Sequence, residues 1–235
     1  MSHWLLIVLL DKGTMTKKKL KGQVAFITGA SSGLGFETAL ILAKNGAHIL
    51  AAGRSVKKLE ILSDSIEAIS GSCTLIPIDL EKTNSIENMA ANIYERWQKL
   101  DIMIHCASST LPMMPVTQSL NKETNYHISL NFIVSLRLIT SFDTALKNSS
   151  NGQVIYVTDE QTKKFNSLYN ATKRASEELF CSYKSESERL GVKVFIYKPM
   201  PMNSGIRLKL YPGEDKKKLT TTRLEAIRLT NLLSI

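Results

Sequence analysis

The chain has 235 residues, 43% of them apolar, 22% charged and 7% aromatic, with 12 Gly and 6 Pro. This composition excludes wholesale disorder, collagen-like repeats and Pro-rich low complexity, and the length suits one domain. The net charge of +9 sits at the ends: residues 1–21 and 207–235 carry +4 each, and the long body between them only +1.

A nucleic-acid reader carries its basic stripe on the folded body, so no nucleic-acid partner is expected. Cys73, Cys106 and Cys181 are far apart and odd in number. They form neither a disulfide framework nor a zinc spacing, which suits a reducing, cytoplasmic compartment. The four histidines offer no metal constellation at workable spacing. No apolar run approaches the roughly 20 residues that span a bilayer.

Residues 4–10 form a seven-residue apolar run from Trp4 to Leu10, followed by Asp11-Lys12-Gly13. It has neither the basic leader nor the small-residue cleavage site of a signal peptide. Met15 then opens a Lys-rich stretch just ahead of the first strand. Residues 1–14 therefore read as an extension outside the fold, arising from an upstream start codon, with a short peripheral membrane anchor as the alternative. The domain proper is expected over 15–235.

Strands and helices then alternate. Apolar runs rich in strand formers cover 24–28, 48–52, 74–78, 101–105, 153–158 and 193–197. Helical spacing covers 34–44, 55–69, 85–98, 118–147 and 167–190, with a final helix running to residue 235. Asn45-Gly46 and Gly191 supply helix stops. Strands separated by helices of ten or more residues predict an α/β fold, a single-domain, Rossmann-type doubly wound parallel sheet. No repeat and no linker divides it.

Thr28-Gly29-Ala30-Ser31-Ser32-Gly33-Leu34-Gly35 joins the first strand to the first helix. Gly29 permits a tight turn, Gly33 lets backbone approach a pyrophosphate, and Gly35 lets the helix pack against the strand. The helix N-terminus offers its free N–H groups to phosphate.

This T-G-x-x-x-G-x-G spacing resembles the short-chain dehydrogenase/reductase family, and the likeness extends over about residues 20–230. Asp79-Leu80 stands where the family places an Asp that binds adenine. His105-Cys106-Ala107-Ser108 occupies the slot of N-N-A-G, with Ala107 beside the cofactor. Asn131 matches the family's helix Asn, Tyr169-Asn170-Ala171-Thr172-Lys173 is a Y-x-x-x-K, and Pro199 with Ser204 matches P-G-x-x-x-T. Residues 200–222 fall where the family has its substrate lid, and they resemble a little-characterised bacterial subgroup. The family's usual last strand is not expected here. The resemblance implies a dinucleotide cofactor, a small carbonyl or alcohol substrate, and a homodimer paired through the two long helices 118–147 and 167–190.

Family members that bind NAD carry an acidic residue after the second strand. Here the position is Gly53, followed by Arg54, whose planar guanidinium suits a 2′-phosphate. Ser31 or Ser32 could add a hydrogen bond. NADP(H) is therefore expected.

Tyr169 and Lys173, four apart, share a helix face. The ammonium is expected to lower the phenol pKa and to hold the nicotinamide ribose, while Asn131 supports a water that relays protons to Lys173. Asp159 stands in place of the family's carbonyl-polarising Ser, and a carboxylate cannot donate a hydrogen bond. Either Thr158 supplies the hydroxyl from a bulged strand end, or burial keeps Asp159 protonated, or turnover is largely lost. Met200 replaces the glycine after Pro199, and His105-Cys106 replace a structural Asn pair. Cys106 and His105 read as structural.

The expected activity is NADP(H)-dependent interconversion of a carbonyl and an alcohol. The rival is a dinucleotide-binding protein with little turnover, acting through a partner or as a cofactor sensor. A third possibility is reduction of an acyl-carrier thioester.

Overall fold

The computed structural model describes residues 19–159 and 164–234. The expected extension over 1–14, and the start at Met15, lie outside the described residues.

Six strands form one parallel sheet: β1 (Val24–Thr28), β2 (His48–Gly53), β3 (Ser72–Pro77), β4 (Ile102–His105), β5 (Gln153–Val157) and β6 (Lys193–Tyr197). Their spatial order is β3-β2-β1-β4-β5-β6. The chain winds outward from β1 in one direction and then, from β4, in the other. The crevice between β1 and β4 is thus a topological switch point, where open α/β sheets bind ligands.

The four central strands read as continuous apolar runs because both their faces are buried, while the edge strands β3 and β6 are half-buried. Along β1 and β2, Phe26 and Leu50 point to one face, and Ala25, Ile27, Ile49 and Ala51 to the other. The first face is covered by α3 (Ser85–Trp97), α5 (Val134–Lys147) and α6 (Ser167–Ser187), through residues such as Ile86, Leu138 and Phe180. Phe26 stacks on Phe142 of α5 with ring centroids 4.8 Å apart. The second face is covered by α1 (Gly33–Lys44), α2 (Val56–Glu67) and α8 (Thr222–Thr230), through Leu42, Leu62 and Leu229. The short α4 spans Thr124–Ile128, and α7 (Gly205–Leu210) belongs to the lid.

Two expected elements differ. The stretch 118–147 is not one helix. A 3-10 turn at Val116–Gln118 precedes α4, a π-turn spans Ser129–Ile133, and α5 follows. The interruption before α4 has a local cause: Thr124 Oγ1 accepts from Asn121 N at 2.8 Å and donates to Ser119 O at 2.8 Å, diverting backbone groups from a helix. The last helix ends at Thr230, with Asn231 N bonded back to Ile227 O. Among the described residues the sheet ends at β6.

Gly35 marks how closely α1 approaches β1: a Cβ there would lie 2.5 Å from the backbone oxygen of Gly29. Backbone cannot swing aside as a side chain can, so Gly35→Ala should destabilise the fold by about 1–3 kcal/mol. Urea unfolding would show a lower midpoint at unchanged slope; an unchanged midpoint would contradict this packing.

Candidate active site

A cleft of about 1040 Å³ opens over the C-terminal ends of the strands. Its floor is the β1–α1 turn. Gly29 has φ +70°, and a Cβ there would meet Ala107 N at 3.0 Å. Gly33 has φ +60°, and its missing side chain leaves open space above the helix end. Ser32 precedes α1 without a side-chain cap, and no acidic residue stands in the first turn. The first N–H groups of α1 therefore face the cleft uncommitted to any side chain, beside Leu34. An anionic pyrophosphate fits this cradle in charge and in space.

At the neighbouring rim, Gly53 and Ser31 are packed closely: a Cβ at 53 would lie 3.1 Å from Ser31 Cβ and 3.2 Å from its Oγ. Arg54 extends along the rim and donates from Nη1 to the Tyr126 hydroxyl at 2.5 Å. Tyr126, 72 residues away, was not legible from sequence spacing. Ile78 and Leu80 line the cleft. Asp79 lies between them, and its Oδ1 accepts from Glu81 N at 3.3 Å.

At the end of β4, Thr28 Oγ1 and His105 Nδ1 are 2.7 Å apart, and Ala107 N donates to the same Thr28 oxygen at 3.2 Å. The Thr28 hydroxyl bridges the Ala107 backbone N–H and the His105 ring. His105 thus ties β4 to β1, as expected of a structural residue. Full burial lowers its pKa to about 3, keeping it neutral. Burial also pushes the Cys106 thiol up to about 12, which leaves it unreactive.

The π-turn carries Asn131 into the core beside this segment. Its Oδ1 accepts from Ser109 N at 2.8 Å and from Ser108 Oγ at 3.0 Å, and its Nδ2 donates to Ser109 O at 2.9 Å and to Thr172 Oγ1 at 3.2 Å. All four side-chain sites are taken. The main-chain oxygen accepts from Ser176 Oγ at 2.6 Å. The side chain thus pins residues 108–109 to α6 instead of offering a free group to the expected water.

The buried stripe of α6, namely Tyr169, Thr172, Lys173, Ser176 and Phe180, follows helical spacing and turns both Tyr169 and Lys173 inward. Tyr169 Oη donates to Asp159 Oδ2 at 3.4 Å. Lys173 Nζ donates to Val157 O at 2.6 Å and lies 4.4 Å above the Tyr156 ring. Burial lowers its pKa to about 8. The expectation that the ammonium lowers the phenol pKa is not met in this state. Burial first, then the charge of Asp159, hold Tyr169 above its ordinary range.

Nor is the strand end bulged. The β5–β6 register runs regularly to Val157 opposite Tyr197, and Thr158 N continues it to Tyr197 O at 2.9 Å. Thr158 lines the cleft, and its Oγ1 donates to Glu177 Oε2 at 3.1 Å.

The lid begins at Pro199. Met200 keeps ordinary backbone: among the described residues, positive φ at non-glycine positions occurs at Ser70, Asn84, Gln98 and Phe165. Its N–H donates to Glu225 Oε2 at 3.0 Å, a fully buried carboxylate that also accepts from the Tyr197 hydroxyl at 2.7 Å. Ser204 lines the cleft and caps α7, its Oγ accepting from Arg207 N at 3.3 Å. The lid leaves and rejoins the body at one seam, where Asn203 N reaches Thr220 O and Thr220 N reaches Pro201 O, both at 3.0 Å. Within it Arg207 pairs with both Glu214 oxygens, at 2.6 and 2.5 Å, and lies over the Tyr211 ring.

The sequence model of the short chain dehydrogenase family matches residues 23–215. The chain belongs to that family. It is 30% identical over 143 residues to a fatty acyl-CoA reductase of Acinetobacter baylyi, covering 60% of this chain and 48% of the relative. It is 30% identical over 208 residues to an uncharacterized oxidoreductase of Listeria monocytogenes, covering 86% of this chain and 83% of the relative. The chain thus spans about half the length of the Acinetobacter relative. A metagenomic short-chain oxidoreductase solved in complex with NADP superposes with a TM-score of 0.79 at 22% identity, over 91% of each chain. At that identity the likeness is one of fold.

Proposed function

We propose that the protein is an oxidoreductase that reduces a small carbonyl compound to an alcohol with NADPH, in a cytoplasmic, bacterial setting. The observation that carries this reading is one cleft that joins an uncapped, acid-free helix N-terminus to the Tyr169–Lys173 pair. When bound, the dihydronicotinamide supplies the hydride for the carbonyl carbon. Tyr169 donates the proton to the carbonyl oxygen, and Lys173 holds the nicotinamide ribose. Pro199 and Ser204 close over the same region. The raised phenol pKa keeps Tyr169 in the protonated form that reduction uses.

The phosphate cradle is tested by Gly33→Asp, which sets a carboxylate in the open space above α1. NADPH affinity should fall at least tenfold, or about 1.4 kcal/mol, with helical content by circular dichroism unchanged. Unaltered affinity would reject the assignment.

NADP(H) over NAD(H) is supported by Gly53, with no carboxylate to repel a 2′-phosphate, and by Arg54 on the rim. Arg54→Ala should weaken NADPH about tenfold and leave NADH affinity within twofold, an estimate based on one lost charge-assisted contact. Equal wild-type affinity for the two coenzymes would refute the preference.

A second reading, cofactor binding with little turnover, is favoured by the Asp159 carboxylate against the Tyr169 phenol. NADPH fluorescence titration followed by a carbonyl turnover screen separates the two. The screen includes acyl thioesters, the third substrate class considered, since a relative is named for such a reduction.

Pairing of two copies through the helices of 118–147 and 167–190 belongs to the same proposal. It is supported by the exposed apolar side chains of Ile133 and Leu136. Among the described residues no helix is long and apolar enough to cross a membrane.

A further inference from the structure

A carbonyl oxygen gathers negative charge as it is reduced, and a second neutral donor beside the phenol stabilises that charge. Two candidates on β5 fail to provide one. Asp159 as a carboxylate only accepts, and the Thr158 hydroxyl is held by the Glu177 carboxylate, a stronger acceptor than the neutral Asn131 amide that holds Ser108. The donor must then come from another strand end.

We propose that Ser108, at the end of β4, is a catalytic residue that supplies this missing hydroxyl and hydrogen-bonds the substrate's carbonyl oxygen beside Tyr169. The inference rests on the carbonyl-reductase reading given above.

Three observations carry it. Ser108 is half-buried and lines the same cleft as Tyr169, Asp159 and Lys173. Its hydroxyl is placed by a fixed partner, because the Asn131 amide has only one possible orientation. Ser109 N can only donate and Ser109 O can only accept, so Oδ1 and Nδ2 are assigned by the backbone itself. Oδ1 therefore faces Ser108 and accepts its proton at 3.0 Å. Ser108 and Tyr169 line the same wall of the cleft, and the Ser108 hydroxyl lies near enough to the phenol to act against the upward pull of Asp159. A hydroxyl beside the proton donor in one cleft can turn to the oxygen that receives the proton.

The arrangement also makes the donor cheap to redirect. When the Ser108 O–H turns from Asn131 toward a substrate oxygen, Asn131 Oδ1 keeps its bond from Ser109 N, so no buried acceptor is orphaned. Ser108 transfers no proton. Tyr169 gives up the phenolic proton, and Ser108 holds the developing charge through a hydrogen bond.

The test is a double-mutant cycle on carbonyl reduction, with NADPH titration as the check on folding. Ser108→Ala should lower turnover at least tenfold, with NADPH affinity within twofold of wild type. In an Asp159→Ser background, where β5 again carries a hydroxyl, the same Ser108→Ala change should cost less than threefold. Ser108→Gly is carried alongside and read identically, since glycine needs no space. Full turnover in Ser108→Ala or Ser108→Gly overturns the proposal while leaving the carbonyl-reductase reading intact. If wild type reduces no carbonyl, that reading fails, and Ser108 is decided separately by nuclear magnetic resonance of protein labelled with ¹³C at tyrosine Cζ. The Tyr169 signal, assigned with Tyr169→Phe, should move in Ser108→Ala; an unmoved signal overturns the contact on which the proposal stands.

Discussion

Tyr169→Phe should reduce carbonyl turnover on the order of a thousandfold, about 4 kcal/mol of lost transition-state stabilisation, and leave NADPH affinity unchanged. The phenol is needed only as charge develops on the substrate oxygen, so its loss falls on kcat and spares binding. Phenylalanine keeps the ring that packs in the α6 stripe, and the fold should persist. Lys173→Ala should differ in kind. It removes the ribose contact as well as the cation above Tyr156, so coenzyme affinity and turnover should fall together. Stopped-flow binding and steady-state kinetics on both variants distinguish these patterns. A Tyr169→Phe protein with wild-type turnover would reject Tyr169 as the proton donor.

Asp159→Ser should raise carbonyl reduction at neutral pH at least tenfold, or make it detectable, about 1.4 kcal/mol for each factor of ten. It restores a neutral donor on β5 and removes a negative charge from beside the phenol. The pH dependence has a definite sign. Burial and Asp159 both raise the Tyr169 pKa, so the protonated phenol persists through neutral and alkaline pH, and any fall in the reduction rate there should follow Lys173, whose pKa burial lowers to about 8. Alcohol oxidation uses the phenolate, so its rate should still be climbing with pH beyond the range of an ordinary phenol. Without the Asp159 charge the phenol ionises more readily, and the oxidation limb should move to lower pH. Rate profiles of both proteins in both directions check this. If Asp159→Ser instead abolishes an existing activity, the carboxylate is a working acid or orienting group. If neither protein reduces any carbonyl while both bind NADPH, the low-turnover reading prevails.

The strands were legible as apolar runs stopped by glycine or a polar turn, most clearly the four central ones, which are buried on both faces. The β1–α1 turn was legible because its glycines are forced by local geometry, with positive φ at Gly29 and Gly33 and a close approach at Gly35. What escaped the sequence depends on contacts between distant segments. The reach of Arg54 to Tyr126 follows from strand order, not spacing. The π-turn that carries Asn131 adds a residue to a stretch whose apolar pattern reads as continuous helix. At Tyr169 the i, i+4 spacing reveals the lysine and the count from β5 reveals the opposing carboxylate of Asp159, but neither reveals the depth of burial, which comes first. Thr158 and Asp159 could be counted to the strand end, but only the regular β5–β6 register shows which way each side chain turns.

The seam at Pro201, Asn203 and Thr220 gathers the two ends of the lid at one place. Between them Arg207 ties Glu214 and Tyr211 together. A loop tethered this way tolerates changes in length, since doubling a flexible loop adds only about 0.6 kcal/mol of closure entropy. Residues 205–219 can thus be exchanged as a cassette inside the same two backbone hydrogen bonds, with Ser204 kept. The coenzyme half of the site would stay fixed while the choice of substrate drifts, and a shared scaffold could serve many chemistries by renewing one short insert.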